Sequence, residues 1–443
     1  MPHQIAITFL LIIVFSMINN TASAENRIDT IRPDAPELAA YGDFNIGVRK
    51  LDIVNPHQID ILKIDPDKPK PNSLPSYDRP LTVEVWYPAA LDSEGKTSLD
   101  VYLRDGKTKV ELHGKAVRDA EPFNDNQKFP LVLISHGYSG NRFLLSPLAE
   151  NIASKGYVVA AIDHTDSTYR SYAAFGSTLV NRPLDQLFTL NQIDLMSEQK
   201  TSFLYNLVDA KNTALIGYSM GGYGAVIMAG GGVTQKGVDY SWSAPHKTLS
   251  IHKSGSQSHN ALTDSRLKTI ITFAPWGMNH DFFDKTTLKG VSLPVLIFAG
   301  SEDDVSGYED GIRSIWQSMS NIDRSLLTFE NASHGSGAPM PAPEESFVFN
   351  EKLGFNLSDH YSDSVWDSVR MNNISQHFVT AWLAKYLKNS TEMDVYFNLE
   401  PNSNDGIWAK DENGDSKPEH TYWEGFPNRT AKGLRFESRN KGK

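Results

Sequence analysis

The chain has 443 residues, 40% hydrophobic and 21% charged, which is ample apolar material for a large core. A net charge of −11 with no basic block argues against nucleic acid as a partner. The absence of cysteine excludes disulfides, a thiolate nucleophile, thiolate metal ligands and lipidation on cysteine.

The first segment reads "MPHQIAITFLLIIVFSMINNTASA". Its apolar run from Ile5 to Ile18 is shorter than the about 20 residues a bilayer span needs, and Ala22-Ser23-Ala24 matches a small-residue cleavage site. The expectation is a signal peptide over 1–24, cleaved after Ala24, leaving a secreted or periplasmic protein with no stable membrane insertion. An uncleaved anchor is the alternative, because His3 is the only basic side chain before the run. Residues 25–43 read as a flexible lead-in.

Two alternating stretches follow, "FNIGVRKLDIV" from Phe44 and "RPLTVEVWYPA" from Arg79, separated by the proline-rich "DPDKPKPNSLPSYD". Alternation of this kind predicts half-buried strands, here an antiparallel edge. From Phe129 the pattern changes to nearly continuous apolar runs: "FPLVLISHG", "YVVAAIDH", "TALIG", "LKTIITFAP", "LPVLIFAG" and "SLLTFE". Runs of this type predict strands covered on both faces. Between them "NRFLLSPLAENIASKG", "SEQKTSFLYNLVDA" and the stretch from Met220 read as helices, and "MNNISQHFVTAWLAKYLKN" as a closing one. Alternating strands and helices predict an α/β fold with a doubly wound, mostly parallel sheet. The catalytic domain is expected over 44–391. Polar insertions at about 230–265 and 335–364 interrupt it, and residues 392–443 are expected to pack on its surface.

The motif Gly217-Tyr218-Ser219-Met220-Gly221 falls where an apolar strand gives way to a helix. A sharp turn there lifts a serine hydroxyl above the sheet edge, and glycine tolerates the close backbone approach on either side. The competing reading is that Ser219 simply caps the helix. A serine nucleophile needs a base, and on this kind of sheet the acid and base follow in the order Ser, Asp or Glu, His. His3, His57, His113, His136 and His164 precede Ser219. His377 lies among Ile374, Phe378 and Trp382 in a helix, and His360 and His420 lie in polar segments. His334, in "FENASHGSG" just past the last apolar run, is the candidate base. "LPVLIFAGSEDDV" offers Glu302, Asp303 and Asp304 as the acid; the Gly-x-x-Asp spacing selects Asp303, with Asp304 next.

A tetrahedral oxyanion needs two backbone donors, expected from Met220 and, in "HGYSG", from Tyr138, with His136 orienting that loop. Trp276 in "APWG" either lines an acyl pocket or is a rim aromatic. No metal or cofactor motif is present: "DENGD" at Asp411 lacks the rest of a calcium loop, so no cofactor is expected.

At these residues the chain resembles the bacterial dienelactone-hydrolase-like group of α/β-hydrolases, akin to the platelet-activating-factor acetylhydrolases. The resemblance runs through much of Phe44 to Pro275, including "FPLVLISHGYSGNR", "LAENIASKGYVVAAIDHTDST", "NRPLDQLFTL" and "GYSMGGYGAV". It implies an α/β-hydrolase fold and a serine esterase with Ser219, Asp303 and His334 as its triad. Dienelactone hydrolases proper use a cysteine nucleophile, so that name does not carry the reaction here. "HGYSG" and "GYSMGG" also resemble secreted polyester hydrolases. The expected activity is hydrolysis of short-acyl carboxylic esters, small or polymeric. A cutinase-like polyester hydrolase and a catalytically silent binding protein on the same fold are the alternatives.

Overall fold

The computed structural model describes residues 25–91, 93–337 and 339–443. The expected signal segment lies outside these residues. A ten-stranded sheet forms the core: β1 Asn45–Ile59, β2 Ser76–Ala89, β3 Val117–Arg118, β4 Phe129–Ser135, β5 Val158–Asp163, β6 Val208–Tyr218, β7 Leu267–Phe273, β8 Val295–Gly300, β9 Arg324–Phe329 and β10 Leu434–Arg439. Their spatial order is β10-β9-β8-β7-β6-β4-β5-β2-β1-β3.

Strands β4 to β9 pair in parallel with their neighbours within that group. They are also the strands with nearly continuous apolar runs, as sheet interiors covered on both faces require. Every residue of β8 is buried. The antiparallel edge expected from the N-terminal alternation exists as β1 and β2, and β2 continues antiparallel onto β5. Four helices matter for the site: α1 Ser146–Ala153, α2 Phe175–Ser197, α3 Met220–Met228 and α4 Ser368–Leu387. Helices α2 and α3 pack on each other and on β6, while α1 packs on α4. In open α/β sheets ligands bind beyond the carboxyl ends of parallel strands, and that edge carries β6, β8 and β9 side by side with β4 and β7.

Three segments differ from the sequence reading. The helix expected over "SEQKTSFLYNLVDA" does not form; α2 ends at Ser197, and turns such as Ser202 N–H to Gln199 O and Leu207 N–H to Leu204 O carry the chain into β6. These turns bury Leu204 and Leu207, so spacing that resembled a helix arises from consecutive tight turns. The insertion at 230–265 holds short helical turns at Gln235–Asp239, Pro245–His252 and Gln257–Asn260, with Val238, Leu249 and His252 buried. The C-terminal extension goes beyond surface packing: β10 pairs antiparallel with β9. Phe436 of that strand stacks on Phe378 of α4, ring centroids 5.4 Å apart. The extension thereby covers an otherwise open sheet edge with a short strand carrying Arg435, Glu437 and Arg439.

Among the described residues no helix is long and apolar enough to cross a membrane.

Candidate functional site

Ser219 stands between β6 and α3 with φ 52° and ψ −112° and makes no capping hydrogen bond to the helix. A capping serine sits in the extended region and accepts from the first turn, so the cap reading fails. A non-glycine residue held at positive φ costs of order 1–3 kcal/mol and persists only where surrounding structure enforces it. That enforcement is visible on both sides. Ser219 N–H donates to Phe273 O at 2.8 Å, and Trp276 N–H donates to Ser219 O at 3.3 Å. A Cβ on Gly217 would meet Gly221 O at 2.3 Å, and one on Gly221 would meet Ser135 O at 1.9 Å. Only glycine fits at either position.

The acid and base sit at the ends of the next strands. Asp303 follows β8 and is buried, whereas Glu302 and Asp304 are exposed. Its Oδ1 accepts from the N–H groups of Val305 and Ser306 at 3.0 and 2.8 Å, and its Oδ2 lies 2.8 Å from His334 Nδ1. A carboxylate oxygen in that position assigns the proton to Nδ1 and leaves Nε2 of His334 as an acceptor. The loop bearing His334 passes directly over the end of β8: Glu302 N–H donates to Ala332 O at 2.9 Å. Tyr218, the residue before Ser219, ties the histidine to the elbow. Its hydroxyl donates to His334 O at 3.2 Å and its ring lies 5.3 Å from the imidazole. Asp363 holds the same loop from the far side, accepting from Ser333 N–H and Oγ–H at 2.7 and 2.6 Å. The structure thus brings Ser219, His334 and Asp303 to one sheet edge, and of the three acids it places Asp303 against His334.

Gly137 lies against Ser219, its Cβ position 3.3 Å from the serine Cβ, so Tyr138 N–H follows immediately beside the elbow. Met220 supplies the first N–H of α3, which has no acceptor within the helix. His136 does orient this loop: its Nδ1–H donates to Gly137 O at 2.6 Å and its Nε2 accepts from His164 N–H at 3.2 Å. Burial pushes its pKa well below the ordinary value, so the ring is neutral.

Around Ser219 aromatic rings form a continuous wall. Tyr138 packs on Tyr172 and Phe175, each at 4.9 Å, and Phe175 on Trp276 at 5.3 Å. Trp242 joins it at 6.3 Å from Trp276. Trp276 is buried, while Tyr172 and Trp242 are 60% and 43% exposed. Tyr172, Phe175 and Trp242 went unnoticed in the sequence; isolated aromatics in polar stretches were the available signal. His360 also joins the surroundings, its Nε2 2.7 Å from the Tyr169 hydroxyl and its pKa pushed down to about 3 by burial. Among the described residues no carboxylate takes at His360 the position Asp303 takes at His334. Among the described residues no group of three or more His, Asp or Glu side chains could hold a metal ion.

A family model described as platelet-activating factor acetylhydrolase, isoform II, matches residues 103–186. Cutinase est1 of Thermobifida alba is 26% identical over 212 residues, covering 47% of this chain and 55% of its own. The platelet-activating factor acetylhydrolase of Cavia porcellus is 31% identical over 98 residues, 21% of this chain and 22% of its own. The chain therefore spans about half or less of the length of these relatives. A ferulic acid esterase from Streptomyces cinnamoneus shares the fold with a TM-score of 0.51 at 20% identity, over 81% of this chain and 96% of that one.

Proposed function

We propose that this chain, an α/β-hydrolase related to the platelet-activating-factor acetylhydrolases and cutinases, is a serine carboxylic-ester hydrolase. The observation that carries the reading is the strained Ser219 elbow beside a partly exposed His334 held by the buried Asp303.

His334 Nε2 takes the Ser219 hydroxyl proton as Oγ attacks the ester carbonyl carbon. The carbonyl π electrons move to oxygen, and the oxyanion is held by Met220 N–H and Tyr138 N–H. Collapse breaks the ester C–O bond, and the imidazolium gives its proton to the leaving alcohol. Water repeats the sequence on the acyl-serine and releases the acid. Asp303 keeps the proton on Nδ1 and stabilises the imidazolium, which is why its burial and its two backbone donors matter.

Our reading is that short acyl chains are preferred, because Tyr138 and Met220 follow directly on the two residues, Gly137 and Ser219, that lie against each other at the elbow. The partly exposed Tyr172 beside Tyr138, and Trp242 beside Trp276, favour the second reading, hydrolysis of aromatic polyesters of the cutinase type. Export through a signal at 1–24 completes the proposal. The test is labelling of the folded protein with a fluorophosphonate, peptide mapping, and hydrolysis of p-nitrophenyl esters. Adduct formation on Ser219, lost together with hydrolysis in Ser219→Ala, supports the reading. Folded protein that neither labels nor hydrolyses would make it a binding module, and label elsewhere removes Ser219 from the role.

A further inference from the structure

Beneath the elbow lies a second Ser–His–Asp arrangement that the proposed chemistry does not use. Ser135 Oγ, at the end of β4, is 2.8 Å from His164 Nε2. His164 Nδ1 is 3.0 Å from Asp185 Oδ2, and Arg79 forks onto the same carboxylate at 2.8 and 2.9 Å. Gln186 Nε2 closes the chain, 2.9 Å from Ser135 Oγ and 3.1 Å from Gly221 O. Ser135, His164, Asp185 and Gln186 are each at most 1% exposed. No substrate reaches this serine, so the arrangement is not a second nucleophilic site.

Every bond in it has one direction. Gly221 O can only accept, so the amide nitrogen of Gln186 faces it and also donates to Ser135 Oγ. The Ser135 proton then goes to His164 Nε2, and the His164 Nδ1–H goes to Asp185. Burial lowers the pKa of His164 well below the ordinary value, in keeping with a neutral ring. The charged and titratable groups around it are Asp185, Arg79, Arg182 and His136. Arg182 works alongside, donating to His136 O at 2.6 Å and to Ser167 Oγ at 2.8 Å. All the helix members of this set, Arg182, Asp185 and Gln186, lie on one face of α2.

We propose that Ser135, His164, Asp185 and Gln186 are positioning residues for the ester-hydrolysing site: they lock the end of β4, and the backbone leading to Tyr138, against the Gly221 turn that follows Ser219. The inference rests on the reading of Ser219 as an ester-cleaving nucleophile. Its physical basis is that the two oxyanion donors come from different segments, one after β4 and one after β6. Apolar packing alone lets such segments slide by tenths of an ångström, whereas a satisfied chain of directional hydrogen bonds does not. Displacement of about 1 Å at a reacting centre costs on the order of a hundredfold in rate.

The test uses the full chain with Ser135→Ala, which removes one hydroxyl and little volume, and Gln186→Leu. Both are assayed with p-nitrophenyl butyrate well below their melting temperatures, together with inhibition by a butyl boronic acid, which forms a tetrahedral adduct on serine. The expected result is a fall in kcat of about ten- to a hundredfold with KM within about twofold, and a rise in boronate Ki by the same factor. The double variant should be no worse than the poorer single one, since both break the same chain. Arg324→Met removes an equally buried arginine bound to Trp316 O near the far edge of the sheet; it should lower the melting temperature and leave kcat unchanged. Folded Ser135→Ala and Gln186→Leu proteins with kcat and boronate Ki within about twofold of the parent overturn the proposal. A parent chain inert to both ester and boronate overturns the hydrolase reading itself, which is a different outcome.

Discussion

Exchanging one carboxylate oxygen for an amide nitrogen at Asp303 should nearly abolish turnover while leaving the fold intact. In Asp303→Asn the retained oxygen still accepts from Val305 and Ser306 N–H, because those bonds demand an acceptor. The amide NH₂ therefore faces His334 Nδ1, where Oδ2 now sits at 2.8 Å. Two donors cannot share that line, so Nδ1 must give up its proton and become the acceptor. The proton then sits on Nε2, and the imidazole cannot take one from Ser219. Wrong-tautomer substitutions of this kind cost about 10⁴ in kcat, or about 5.4 kcal/mol of barrier. Asp304 is exposed, and the carboxylate against His334 is that of Asp303, so Asp304→Asn should change kcat/KM by less than about threefold. Initial rates with p-nitrophenyl butyrate, with circular dichroism to verify folding, provide the assay. A mild Asp303→Asn paired with a severe Asp304→Asn would refute the tautomer argument and the assignment of the acid.

Gly221→Ala would place a methyl 1.9 Å from Ser135 O, so the elbow must open; we expect a loss of about 1–3 kcal/mol in urea denaturation and activity reduced beyond that of a merely destabilised protein. Burial holds His252 at a pKa of about 4 and His377 at about 3, both below the ordinary 6.5. The unfolded chain therefore binds protons first as pH falls below about 6.5, and each should cost about 2 kcal/mol of stability by about pH 5. Equal urea midpoints at about pH 7.5 and about pH 5 would contradict this. Acetyl to butyryl p-nitrophenyl esters should be cleaved faster than esters of about ten carbons or more, each fitting methylene adding only about 1 kcal/mol of discrimination. Preference for the long chains would show that Tyr138 and Met220 do not close the acyl side. EDTA should leave the rate unchanged, and zinc- or calcium-restored activity after chelation would refute a metal-independent triad.

The parallel strands were legible because a strand covered on both faces must be apolar at nearly every position, whatever its neighbours are. The turn at Ser219 was legible because a strand-to-helix elbow demands glycine at 217 and 221, a local steric requirement written into five consecutive residues. The placement of His334 and Asp303 at that edge followed from chain order, since each lies just past a strand whose end must reach it. The Gly-x-x-Asp spacing pointed to Asp303 ahead of Asp304, but the burial of Asp303 against His334 is tertiary, because both aspartates follow β8 and only packing buries one and exposes the other. Helix α2 was missed for a related reason. Its inner face carries Arg182, Asp185, Gln186 and Thr189, polar residues buried beneath the site, so the apolar period that announces a helix is blurred. "LRFESR" at β10 alternates as a strand does, but nothing local states that its partner is β9. Local sequence reports which faces of an element avoid water; which distant element supplies the cover, and which buried polar groups find partners there, is decided only when the whole chain packs.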